Sequence, residues 1–403
     1  MKHITIRILL SALLVLILLP LTGCWSNKEI EDLGLIVGTS LDLEKQEEAQ
    51  EEAAGQTGRY PNRDQITITN QFLTAETTGK TGKGTKAGSS PQKAYNNVSE
   101  TGDAILPTLR NMVLRIDKRA FAEHSKVIII GEDLARTLDL QKLLDFFIRE
   151  QEMRPSGLLL IAQNRASKTL ESKKPMDIPA FRLVEMTHGH GRTTKILPPT
   201  TLTKIEGKLH SGASFLLQNV VSSSNGEIKF AGAAVIEGKT KKLRGFLNEQ
   251  EIEGLAWITG KGKGGLVKSV DKKTGQPIVY EMLSMKSKIK PHVDGNNISF
   301  NIEVESEGRI AEHWVVSEKP IETDFLKRVE KAIEEEVERL VKNVLDKIQH
   351  EYKTDVSGFG NKLRIKYPHI WKTAKKDWDQ TFSEVPIRYE VKITIKDYGT
   401  SNE

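Results

Sequence analysis

Cysteine is almost missing from this 403-residue chain: Cys24 is the only one. No disulfide can form within one molecule. A strong charge of either sign is missing too. Lys and Arg number 59 against 54 Asp and Glu, a formal net charge of +5. So mild an excess argues against nucleic-acid binding, where basic charge is large and concentrated. Long apolar runs are confined to one place, residues 8–19. Recognisable reaction-centre motifs are absent: no GxSxG, HExxH or paired-acid pattern occurs. The stretch GKTGKGTK at 79–86 has the composition of a phosphate loop without its spacing, because Thr74 stands where the first glycine is required. His188 and His190 lie two apart in THGHGR, too few ligands for a metal. The Lys-rich stretches 239–244, 260–273 and 372–376 read as solvated faces, with contact to anionic lipid or a partner as the alternative. No catalytic residue, cofactor or metal is expected.

What is present begins at the N-terminus. MKHITIR carries Lys2 and Arg7, and ILLSALLVLILL follows at 8–19. That run is shorter than the roughly 20 apolar residues of a bilayer-spanning helix, and reads as a cleaved signal peptide. Leu21-Thr22-Gly23-Cys24 then has the form of a bacterial lipobox. Small residues let the backbone reach the processing enzymes, and the thiol takes a diacylglyceryl group as a thioether. Cys24 is therefore the expected lipid attachment, with or without a further N-acyl chain. Residues 1–23 are the expected leader, and the mature chain is expected to stand on a membrane through that lipid.

Hydrophobic spacing sorts the remainder into α+β structure: three mixed α/β domains, each a sheet with packed helices. The first covers 24–174. Leu33, Leu35 and Val37 alternate as in a strand, and 64–73 is a second strand expected to pair with it. Polar stretches 46–62 and 75–91 read as loops, and 92–114 as a helix with Pro107 as a kink. Continuous apolar runs at 127–130 and 157–164 suggest strands buried on both faces. The second domain, 175–260, has one helix near 178–188, a hairpin about Asn225-Gly226, and a helix at 248–258. The third, 261–403, has an antiparallel sheet and a long amphipathic helix over 324–352, with Phe325, Val329, Ile333, Val337 and Leu340 along one stripe. A last strand spans 385–397.

The order of these pieces resembles the Ger(x)C spore germination lipoproteins, across essentially the whole chain. Cys24-Trp25, Glu29-Ile30, Leu33, Gly38 and Asp42 stand as in the family's opening pattern. HSKVIIIGEDLA with LLDFFIRE resembles its central block, and FAGAAVIEGKTKKLRGFLNEQEIEGLAWI its strand-to-helix signature. The most specific match is the tail: Gly358, Gly360, Tyr367-Pro368, Trp371, Trp378 and Phe382. Ser26 departs from the pattern, which often has an acid there. The resemblance implies a non-enzymatic, lipid-anchored subunit of a spore nutrient germinant receptor. It also implies an outward-facing place on the spore's inner membrane and two transmembrane partner subunits. The alternative is a solute-binding lipoprotein that captures the germinant itself. It would need a deep cleft between two similar lobes, and no duplicated halves appear in the sequence. Trp371, Trp378 and Phe382 are expected to pack in a core rather than contact a partner.

Overall fold

The computed structural model describes residues 33–44, 64–74, 93–150, 152–295, 297–315 and 323–397, together with Ile4. Cys24, Trp25 and the loops expected at 46–62 and 75–91 lie outside the described residues.

Strand β1 (Leu33–Leu43) pairs antiparallel with β2 (Ile66–Leu73), as its alternation suggests, with Leu41 opposite Ile68. Beyond β2 lies β3 (Tyr95–Gly102). On its other side β1 is parallel to the short β4 (Arg119–Phe121) and then to β5 (Val127–Gly131). β5 is parallel to β6 (Leu158–Ala162). Then β7 (Phe215–Ser222), β8 (Ile228–Ile236) and β9 (Leu243–Leu247) complete the order β3-β2-β1-β5-β6-β7-β8-β9.

The apolar β5 is explained by its two coverings. Ile128 and Ile130 enter one core with helices α1 (Ile105–Asn111), α2 (Glu132–Thr137) and α3 (Leu140–Arg149). Val127 and Ile129 enter the opposite core, with Ala180 and Leu183 of α4 (Pro179–Met186). A central strand has no solvent face, so every second residue gains nothing from being polar.

The second sheet has the order β10 (Gly265–Val270), β11 (Pro277–Asp294), β12 (Asn297–His313), β13 (Ile387–Asp397). Helix α6 (Glu249–Thr259) joins the two sheets, and α7 (Thr323–Asp346) lies on the second with its expected stripe buried. One core runs from Ala233, Val235 and Leu247 of the first sheet through α6 to Tyr280, Phe300 and Val341.

Four expectations change. The expected helix at 92–114 is β3 followed by α1 and a 3-10 turn, Met112–Arg115. Tyr95 and Val98, three apart, would share one helix face, but in β3 they point to opposite sides of the strand, and polar residues of the strand pair with β2. Gln71 Nε2 donates to Asn97 Oδ1 at 3.1 Å, and the Thr69 and Ser99 hydroxyls meet at 2.8 Å. Pro107 sits in the first turn of α1, where a backbone N–H has no helical partner to lose. The connection 172–210 holds a second helix, α5 (Leu202–Ser211), whose Leu202, Ile205 and Leu209 are buried. The middle segment does not form its own sheet. β7 extends the first sheet through parallel pairs Ile161–Asn219 and Ala162–Val220, so two sheets serve three expected segments. Finally, β13 runs parallel to β12, so the second sheet is antiparallel only across β10 to β12.

Candidate functional site

The single predicted attachment residue, Cys24, lies outside the described residues, nine positions before β1 begins at Leu33. The candidate site within the fold is therefore the set of marked blocks, taken one at a time.

The tail is organised by a residue that the sequence pattern does not single out. Asp355 Oδ1 accepts N–H groups from Ser357, Gly358 and Phe359 at 3.1, 2.8 and 3.1 Å. Its Oδ2 accepts from the Gly360 amide at 2.7 Å and the Trp378 indole at 2.9 Å. These amides lead into helix α8 (Phe359–Lys366), so the carboxylate occupies the positive end of the helix. Gly358 takes φ +86°, a left-handed conformation that favours glycine. A Cβ on Gly360 would lie 2.7 Å from Trp378 Nε1 and 2.9 Å from the Trp371 ring. The indoles of Trp371, on α9 (Pro368–Ala374), and Trp378, on α10 (Trp378–Glu384), meet edge to face with centroids 5.2 Å apart. Phe359 and Phe382 are fully buried, and Trp371 and Trp378 are half-buried against the same core. The tail aromatics pack as expected. A signal for Asp355 does exist in the sequence: an acid just before a Gly-rich helix start.

The strand-to-helix block behaves similarly. Asn248 and Glu251 form a capping box at the start of α6. Gly254 faces α7 so closely that a Cβ would lie 2.3 Å from the Leu340 carbonyl oxygen. Gly245 is pressed by the Tyr352 ring, whose hydroxyl donates to the Phe246 carbonyl at 2.9 Å. Glu253 is buried beside Lys195, 3.7 Å away, and burial pushes its carboxyl up. In the opening block, Asp42 accepts the Ala166 and Ser167 amides at 2.6 and 2.9 Å, clasping the 3-10 turn Ser167–Leu170 to β1. Burial raises the Asp42 carboxyl, against the pull of those two amides and of Arg165. Gly131, from the central block, leaves room for it: a Cβ there would sit 2.4 Å from Asp42 Oδ1.

Chemically, Asp42 and Asp355 hold structure with both oxygens. Among the described residues, no group of three or more His, Cys, Asp or Glu is placed to hold a metal. His188 reaches Glu185 at 3.2 Å, whereas His190 turns to the Thr187 carbonyl at 2.8 Å. An open groove of about 400 Å³ lies between the start of α6 and the end of α7. The Glu251–Lys347 ion pair, 3.2 Å, lies in it, and Asp346 and His350 help line it. Small-molecule sites are mostly apolar and enclosed, and this groove is neither. No described helix is long and apolar enough to cross a membrane.

Fold and marked residues together define a class: a two-sheet α/β protein whose signature positions are caps, close helix crossings and aromatic packing. The chain matches the family models described as "Spore germination protein N-terminal domain", over residues 26–221, and "Spore germination B3/ GerAC like, C-terminal", over 231–399. It is 46% identical to spore germination protein YndF of Bacillus subtilis (strain 168), over 96% of this chain and 95% of that one. It is 31% identical to spore germination protein B3 of the same organism, over 95% of this chain and 96% of that one. The crystal structure of the GerBC protein superposes with a TM-score of 0.59 at 28% identity, covering 84% of this chain and 96% of that one. The chain belongs to the GerAC-like family of spore germination proteins.

Proposed function

We propose that this protein is the lipid-anchored, non-enzymatic subunit of a spore nutrient germinant receptor. Cys24 carries the lipid, the folded chain faces outward from the spore's inner membrane, and two transmembrane subunits are its partners. The observation that carries the reading is family membership along both halves of the chain, beginning at residue 26, two residues after the lipobox cysteine. The roles found for Asp355, Gly254 and Asp42 support it, since each builds a scaffold rather than a reaction centre. Two or three acyl chains suffice for lasting anchoring, because each buried CH₂ contributes about 0.8 kcal/mol. Tethering then keeps the folded part at high effective concentration beside its membrane partners.

The test is purification from spore membranes followed by intact-mass measurement. The expected protein begins at an acylated Cys24 and brings two membrane-embedded proteins with it, and Cys24→Ala carries no lipid. A wild-type chain without acyl mass, or one that purifies with no membrane companions, would overturn the proposal.

A further inference from the structure

Helix α1 and its 3-10 extension are apolar on two sides. On the inner side Thr108 and Met112 are buried, and Ile105 and Leu109 pack on the first core. On the outer side Leu106, Val113 and Leu114 are 42%, 60% and 89% exposed. Leu106 and Val113 lie seven residues apart on that side, with Arg110 exposed between them and Leu114 exposed one step further round the 3-10 turn. Here the outer side meets solvent, and contiguous exposed apolar groups mark interaction surfaces. The charge around them is one-sided. Between residues 105 and 121 the charged residues are Arg110, Arg115, Lys118 and Arg119 against the single acid Asp117. Glu100 lies 2.5 Å from Arg115 and Glu152 lies 3.9 Å from Arg119.

Chain connectivity places this ribbon near the N-terminal tether. Leu33, the first residue of β1, pairs with Arg119 at the start of β4. Nine residues separate Leu33 from Cys24, a reach of at most about 32 Å. Leu114 is five residues from Arg119, at most about 17 Å away. A bilayer holding a lipid on Cys24 therefore lies within reach of the ribbon.

We infer that this ribbon docks on the bilayer itself. Leu106, Val113 and Leu114 enter the boundary between headgroups and acyl chains, and Arg110, Lys118 and Arg119 meet anionic lipid phosphates. Apolar tips flanked by long cationic side chains are what an interfacial element requires, because the stems of Lys and Arg reach the headgroups while the tips are buried. Docking would fix the orientation of a domain that a lipid alone leaves free to swing. The inference rests on lipid attachment at Cys24 for the nearness of the bilayer.

The experiment uses the lipidated mature chain in vesicles. Cys24 is the only cysteine and is taken up by the lipid, so Leu114→Cys supplies one free thiol for an environment-sensitive fluorophore. Ser224→Cys is the control, since the β7–β8 turn lies at the opposite end of the parallel strands from Leu33. In vesicles containing anionic phospholipid and lipid-borne quenchers, the probe at 114 should be quenched and the probe at 224 should not. Replacing Arg110 and Lys118 together by Gln should lower the ratio of docked to undocked protein about 30-fold at low salt, near fivefold per cation. If the chain floats with the vesicles while the probe at 114 stays in water, the docking surface is overturned and anchoring stands. Protection at 114 that requires the transmembrane subunits, or a second copy of the chain, also overturns it. A chain that does not float overturns the anchoring reading, and this inference with it.

Discussion

Asp355 gathers four backbone amides and one indole N–H into a single carboxylate. Asp355→Ala would leave those donors without an acceptor in a largely buried setting, since Asp355 itself is buried. Charge-assisted hydrogen bonds of this kind are worth about 1.5–3 kcal/mol each and are not additive, so a loss of about 3 kcal/mol or more is expected from urea unfolding. Asp355→Asn should lose less, because its amide oxygen still accepts. Two other acids carry opposite pH signatures. Burial lifts the Asp42 carboxyl above its ordinary 3.8, although the Ser167 and Ala166 amides oppose it. Just above pH 3.8 the folded chain then keeps a proton that the unfolded chain has released, so stability falls as pH rises through that window. The stability of wild type relative to Asp42→Asn should shrink over that rise, measured by denaturation at matched pH values. For Asp271, burial would raise the carboxyl, but the Thr274 hydroxyl and Arg328 outweigh it and hold the carboxyl below 3.8. Its contribution is whole above pH 3.8 and disappears as pH falls through the lower folded value. Arg328→Ala should therefore flatten the acid limb of the stability curve.

At the scale of elements, two helical glycines should respond oppositely to the same change. Gly254 on α6 meets the Leu340 carbonyl of α7, and Gly254→Ala should cost about 1–3 kcal/mol through overpacking. A Cβ added at Gly207 on α5 would have no atom within 4 Å, so Gly207→Ala should stabilise by about 0.5–1 kcal/mol. Thermal unfolding of both variants checks the pair. The same contrast explains which elements are legible in the sequence. Helix α7 is plain because its large apolar residues follow one stripe, from Phe325 to Leu345. Only its last turn departs, widening into a π turn at Lys347–Glu351 before Tyr352 docks on Gly245. Helix α5 is obscured because three buried residues stand among Lys, Thr, Glu, His and Gly. Strand β3 is obscured because its partners are polar side chains on β2, which hydrophobic spacing does not register.

At the scale of the whole molecule, the shared sheet has a consequence for dissection. A fragment ending at residue 174 would lose β7 from the edge of β6. It would also lose Leu202, Ile205, Leu209, Phe215 and Leu217 from the core beneath α3. Such a fragment should aggregate rather than fold, as sedimentation of the expressed piece would reveal, because an open apolar strand edge recruits other chains. The core that runs through α6 likewise binds the first sheet to the second.

Linear order was enough for the strands β1 and β5, the long helix α7 and the family pattern. Each is a local code, a run or a spacing of apolar residues imposed by the faces that are buried, or a fixed order of such pieces. Folding alone brought Asp42 to Gly131, Gly254 to Leu340, and Asp355 to the indole of Trp378. It alone made β6 and β7 neighbours, and it alone turned Leu106, Val113 and Leu114 outward. A leucine facing solvent and a leucine in a core are spelled alike, and only the atoms packed around them, contributed by distant parts of the chain, tell them apart.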